Sequence, residues 1–287
     1  MRRTFELASA FAIPFAIVVS ACSASEFGPA VDSGADGAAK DDAATADDRV
    51  TEPDHDAGST TDAKPVFDSG TASLAPDLGT SSPFVVLSGA TVTNSGTATF
   101  LEGDLGTTGP TVTGLTGKPS QPTGSTAIND ARAIKALLDV GTAYDALTAK
   151  TCPPANDLSG LDLGGMTLAP GVYCFSAAAS QLPATTLTFD AKGDPNATWI
   201  IRVGTALTVM DGAHAVIVGG PPSLGCRIFW TMGTAATLNG NVQWIGTLLA
   251  SAATGLLTSA KLSPGRIFAR TGGITLLSNE VSAAACQ

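Results

Sequence analysis

Charged side chains make up only 14% of the 287 residues, and histidine and tyrosine occur twice each. An ordinary soluble domain carries about 25% charged residues, so acid–base chemistry has few candidates here. His55 lies alone in an acidic stretch and His214 alone beside a turn. No two of the five cysteines lie close together, which argues against a zinc site. There is no nucleophile elbow and no phosphate-binding loop. Glu102 and Asp104 could share one strand face, but Gly103 between them and Gly106 after them favour a turn. Asp190 and Asp194 share one turn and Arg266 and Arg270 another, whereas a glycan-cleaving enzyme needs its acids and bases clustered in a groove. No enzyme, cofactor or metal is expected. The longest apolar run, residues 11–19, is interrupted by Pro14 and falls short of the roughly 20 residues that span a bilayer. Nor does the formal charge of −10 point to a partner: residues 23–83 hold 13 acids and 3 bases, and residues 84–287 hold 11 and 10. The folded part has no basic field for nucleic acid.

What is present begins with an export signal. Arg2 and Arg3 precede the apolar run, and Ser20-Ala-Cys22 closes it like a lipobox, so residues 1–21 read as a lipoprotein signal peptide and Cys22 as the lipidated residue. Residues 22–83 are made of Ala, Asp, Ser, Gly, Thr and Pro with hardly any large apolar side chain. Such a segment cannot bury enough surface to offset its ordering entropy. It reads as an acidic tether with a typical span of roughly 40–45 Å, holding residues 84–287 off an outer membrane or cell surface. The membrane is thus a partner only through the lipid.

In residues 84–287 one phrase returns six times: Gly164-Gly-Met-Thr-Leu168, Thr185-Thr-Leu-Thr-Phe189, Thr205-Ala-Leu-Thr-Val209, Thr234-Ala-Ala-Thr-Leu238, Gly255-Leu-Leu-Thr-Ser259 and Gly272-Gly-Ile-Thr-Leu276. Its threonines, Thr167, Thr188, Thr208, Thr237, Thr258 and Thr275, are 21, 20, 29, 21 and 17 residues apart. A repeat of about twenty residues rich in β-branched side chains and glycine predicts the coils of a parallel β-solenoid. Alternate strand residues face opposite ways. The apolar neighbours of each threonine therefore line the core, and the threonines point outward with the residues two before them, including Thr186, Ala206, Ala235 and Gly273. Stacked at about 4.7–4.9 Å, they would form one flat ladder without charge. Such a face suits a regular, uncharged, crystalline ligand such as ice. Leu256 and Ser259 break the pattern in the fifth copy, and the 29-residue interval implies a bulging loop near residues 219–223.

Between Thr126 and Lys150 the period changes. Ile128, Ala131, Ile134, Leu137, Leu138, Gly141, Tyr144 and Leu147 recur at three- and four-residue intervals, which predicts an amphipathic helix capped by Ser125 or Thr126. It needs an apolar partner. Trp199–Val203, Ile228–Met232 and Ile267–Phe268 are apolar on consecutive positions, so the helix should cover those strands and leave the threonine face open. Of the cysteines left after Cys22, Cys152, Cys174, Cys226 and Cys286 are even in number and exported, which suggests two disulfides. Three connectivities are possible; the preferred one joins Cys152 to Cys174 and Cys226 to Cys286.

Several stretches together resemble the ice-binding protein family of bacteria, sea-ice algae and fungi. They are Gly89-Ala-Thr-Val-Thr-Asn-Ser-Gly96 with Gly103-Asp-Leu-Gly106, Leu163–Tyr173, Leu187–Ala197, Cys226-Arg-Ile-Phe-Trp230 and Gly265–Leu276, in the family's order. The resemblance implies a mainly β fold, a discontinuous right-handed parallel β-helix with one long α-helix alongside, in which an N-terminal portion supplies coils at one end. It implies adsorption to an ice crystal surface through one flat face, slowing ice growth or recrystallisation, by a monomer without cofactor. Some members are described with a Thr-Ala/Gly-x-Thr/Asn pattern, which Thr205–Thr208 and Thr234–Thr237 fit. The alternative is an adhesive or structural surface lipoprotein of the same fold that does not bind ice.

Overall fold

The computed structural model describes residues 74–286 except 116, 118 and 119. Its backbone is wound into stacked coils whose strands all pair in parallel. Each full coil contributes to three faces, because short strands separated by turns let the chain change direction three times per circuit. The helix-covered face stacks Gly171–Phe175, Trp199–Val203, Ile228–Met232, the second half of Gln243–Ala250, the second half of Lys261–Ala269, Phe84–Ser88, Asp104–Thr107 and Thr126–Ile128. The short-strand face stacks Ala179–Gln181, Leu207–Val209, Ala236–Leu238, Thr254–Leu256, Ile274–Leu276, Val92–Asn94 and Val112–Thr113. The third, mixed face carries Thr167–Leu168, Thr186–Asp190, His214–Val218, the first halves of the two long strands, Glu280–Ser282 and Phe100–Glu102.

Two long strands bend from the mixed face onto the helix-covered face, so these two faces form one continuous 13-stranded sheet. The bend in Gln243–Ala250 sits at a register shift after Trp244. Gly246 takes φ +102° there, and a Cβ would meet the Ile228 carbonyl oxygen at 2.7 Å. Only glycine allows that corner.

Coil order differs from chain order. The strand Val92–Asn94 stacks on Ile274–Leu276, so the first part of the domain extends the last part. A chain that starts beyond its own end must cross the whole stack to begin the next coil. The helix Ala131–Thr148 makes that crossing, about 27 Å at 1.5 Å per residue. It begins later than its periodicity predicts. Thr126–Ile128 is the edge strand, with Ala127 buried on the helix side and its neighbours exposed, and Asn129 turns the chain at φ +47°. Asp130 then caps the helix through the Ala133 amide at 2.8 Å.

The helix buries Ala133, Ala136, Val140, Ala143 and Leu147 against Leu87, Val172, Ile200, Phe229, Leu249 and Phe268. Small helical residues meet large strand residues, which lets the helix axis approach the sheet closely. The strands expected to need cover receive it. Inside the solenoid, Phe189 meets Trp199 and Trp230 edge-on at 5.5 and 6.0 Å, and Trp230 lies 5.1 Å from Trp244. Such pairs add about 0.5–1.5 kcal/mol each beyond area burial. Trp199 donates to Leu168 O at 3.0 Å and Trp230 to Ile245 O at 3.2 Å. Cys152 pairs with Cys174 and Cys226 with Cys286, at Cα separations of 6.2 and 5.4 Å. The long interval before Thr237 holds the 3₁₀ turn Pro222–Arg227.

Two sequence expectations need correction. Residues 74–83 belong to the fold and not to a tether: Leu78 and Ser81 are buried, and Thr80 donates to Asp139 through its amide at 2.8 Å and its hydroxyl at 2.6 Å. Arg266 is not at a turn; it lies in a strand and is 4% exposed. Glu102 and Asp104 flank the expected bend at Gly103 and are fastened structurally, Glu102 by the Ser282 hydroxyl at 2.6 Å and Asp104 by Arg132 and the Ser125 amide. The signal segment, Cys22 and His55 lie outside the described residues.

Candidate functional site

The short-strand face is built from strands of two or three residues, each with its middle side chain outward. One row along the stack reads Ser180, Thr208, Thr237, Gly255, Thr275, Thr93 and Thr113, every member in register with the next. Two residues earlier a second row reads Ala178, Ala206, Ala235, Ala253, Gly273, Thr91 and Thr111. Its alignment is fixed by amide-to-carbonyl bonds from each strand to the residue preceding its neighbour, at 2.8–3.3 Å. A third row, two residues later, includes Leu182, Met210 and Leu257, exposed by 55%, 38% and 40%. No charged side chain enters these rows. At one end the hydroxyl row meets Asp162, whose carboxylate accepts from Ser180 Oγ at 3.0 Å.

Small outward residues are possible on this face because no described element packs on it. The inward positions do the holding: Leu207, Val209, Ala236, Leu238, Leu256, Ile274, Leu276 and Val92 are all at most 1% exposed. Gly255 interrupts the hydroxyl row. A Cβ there would meet no atom within 4 Å, so the gap opens outward.

Of the residues expected to share one ladder, Thr208, Thr237 and Thr275 lie in the hydroxyl row and Ala206, Ala235 and Gly273 in the small row. Thr167, Thr186 and Thr188 do not. Thr188 pairs with Thr167 and Val216, and Thr186 with His214, which puts all three on the mixed face. Thr258 follows the strand Thr254–Leu256 in a turn, where its carbonyl accepts from the Asn241 amide at 3.0 Å. The irregular fifth copy was therefore misaligned: the outward residue is Gly255, Leu256 is a buried core residue, and Ser259 sits at a turn with φ +61°. Missed from the sequence were Ser180, Thr91, Thr93, Thr111, Thr113, Ala178 and Ala253. The alternating Thr91-Val-Thr93 and Thr111-Val-Thr113 carried a readable signal; Ala178 and Ser180 carried little.

The mixed face is chemically unlike its neighbour. Its row runs Thr186, His214, Gln243, Lys261, Glu280 and Phe100. Lys261 and Glu280 form an ion pair at 2.8 Å, and that hydrogen bond raises the Lys261 pKa. Among the described residues no three His, Cys, Asp or Glu side chains are grouped to hold a metal ion.

The sequence model of the ice-binding-like family matches residues 86–282. This chain belongs to that family. As an ice-binding-like domain it is 39% identical to an ice-binding protein of Nostoc sp. (strain HG1), over 71% of this chain and 73% of that protein. Its fold is similar to the crystal structure of an ice-binding protein from an Antarctic biological consortium, at 33% identity and a TM-score of 0.65, covering 71% of this chain and 90% of that one. It is also similar to the ice-binding protein of the Antarctic ascomycete Antarctomyces psychrotrophicus, at 31% identity and a TM-score of 0.66, covering 72% and 98%. In this ice-binding-like domain the helix leaves two faces uncovered, and of these the short-strand face carries the smaller, uncharged outward side chains.

Proposed function

We infer that this chain binds ice, as the family's proteins do, and that the short-strand face makes the contact. It is not an enzyme; the family is one of ice-binding proteins. One observation carries the choice of face: seven coils present two parallel rows of small and hydroxyl side chains, flanked by Leu182, Met210 and Leu257, with the first charge at the end of the hydroxyl row, Asp162. Charged groups hold their own hydration tightly and would oppose an ordered water lattice. Methyl and hydroxyl groups repeated at the strand spacing of about 4.7–4.9 Å instead let a layer of water order in step with the backbone. The backbone is rigid, because every coil is hydrogen-bonded to the next and filled by buried side chains. Adsorption at many such points pins the growing surface and slows growth or recrystallisation.

The role is completed by export and anchoring: residues 1–21 direct the chain out, lipid on Cys22 holds it at an outer membrane or cell surface, and it acts as a monomer. The test of ice binding is direct. An ice crystal held near its melting point in a solution of the protein should become faceted and show a gap between freezing and melting. A smooth disc growing freely in folded protein would overturn the reading and leave a surface-adhesive role in its place.

A further inference from the structure

Away from the short-strand face, a cavity of about 610 Å³ opens beside the Cys226–Cys286 disulfide. Pro76, Leu78, Pro83 and Phe229 give it apolar walls, and Arg227 and Arg266 bring two guanidinium groups to it. Arg266 is 4% exposed and donates from Nε to Ser82 O at 3.0 Å. Arg227 spends its Nε on the Asn196 and Ala197 carbonyls and the Thr198 hydroxyl, at 3.1, 3.3 and 3.1 Å. Both forks are thus fixed by Nε, and their terminal nitrogens donate to no acceptor among the described residues. No described acid forms an ion pair with either. Asp77 shares the cavity wall, but its Oδ1 accepts from the Gly79 amide at 2.8 Å. Burial draws the Arg266 pKa below its ordinary value.

A cation removed from water without a counter-charge is costly, and a guanidinium's planar fork matches a carboxylate better than a spherical ion. The apolar walls suit a short hydrocarbon body. We propose that this cavity is a binding site for a carboxylate carried on a small apolar group, with Arg266 as the bidentate partner and Arg227 as the second donor. The carboxylate is that of a free short-chain acid.

The test uses the full chain labelled with ¹⁵N-arginine and titrated with propionate, with chloride at equal ionic strength as control. The Arg266 guanidinium signals are identified by their loss in Arg266→Lys or, should that variant not fold, by through-space contacts to Phe229. A saturable shift with propionate and none with chloride supports a site open to free acids. No saturable shift with propionate overturns the proposal. For a free acid, Arg227→Gln should weaken propionate several-fold while keeping the fold, and unchanged affinity would remove Arg227 from the site.

Discussion

The short-strand face and the mixed face are made by the same coils, with the same parallel pairing, and both are open to water. They differ in what stands on the outward positions. On the short-strand face seven successive positions are Ser, Thr or Gly. On the mixed face the equivalent row includes His214, Gln243, Lys261 and Glu280. The mixed face has the solubilising charges expected of an exposed sheet, so the solenoid does not require an uncharged surface in order to fold. The uncharged rows are a property of one face alone. The helix-covered face adds a third solution: its outward residues are large and apolar, and a helix buries them. One backbone thus carries three surfaces, sorted by side-chain size and charge.

The comparison can be broken most severely at the buried face. Phe268→Ala removes a side chain with 0% exposure from the seam between helix and sheet. It should cost about 3–5 kcal/mol and lower Tm by on the order of 10 °C, measured by calorimetry, while any protein still folded keeps its activity on ice. Next in size, Thr237→Tyr puts a bulky ring in the middle of the hydroxyl row. Activity in the ice-growth assay should fall by about tenfold or more, equivalent to about 1.4 kcal/mol, with Tm nearly unchanged. Thr188→Tyr makes the same change on the mixed face and should leave activity intact; equal losses from both would mean that the contact is not confined to one face.

A smaller effect sharpens the contrast. Gly255→Thr fills the one gap in the hydroxyl row, at a site where an added Cβ meets no atom within 4 Å. It should raise stability by about 0.5–1 kcal/mol, since glycine weakens a strand, and widen the gap between freezing and melting. A narrower gap would show that the notch itself fits the ice. The smallest effect lies at the helix. Asp139 accepts from Lys135 and Thr80, and these bonds, Lys135 first, pull its pKa from 3.8 to about 2. A depressed carboxylate stabilises the fold fully above its unfolded pKa and loses that contribution as pH falls through the folded value. The parent's slight advantage over Asp139→Asn should therefore be present above pH 4 and fade between about pH 4 and 2, as followed by thermal melts across that range.

Much of this was legible in the residues. The period-2 alternation in Leu207-Thr208-Val209 or Ile274-Thr275-Leu276 told inside from outside correctly, because strand geometry is local. The doubly apolar strands Trp199–Val203 and Ile228–Met232 announced their need of a helix, and the preferred disulfide pairing is the one found. The helix start was misjudged because the edge strand Thr126–Ile128 happens to continue the helical spacing, and only Asn129 turns it away.

The sequence by itself determined that the chain coils in parallel strands, which residues of each strand point inward, and which strands must be covered. Only the tertiary structure decided which face each threonine occupies. The same apolar-Thr-apolar phrase serves on two faces, and stacked positions of the hydroxyl row are 28, 29, 18 and 20 residues apart between Ser180 and Thr275 before the row passes to Thr93, far back in the chain. Side-chain direction depends on one strand, but neighbourhood in a solenoid depends on hydrogen bonds between coils of unequal length, and no local pattern records those.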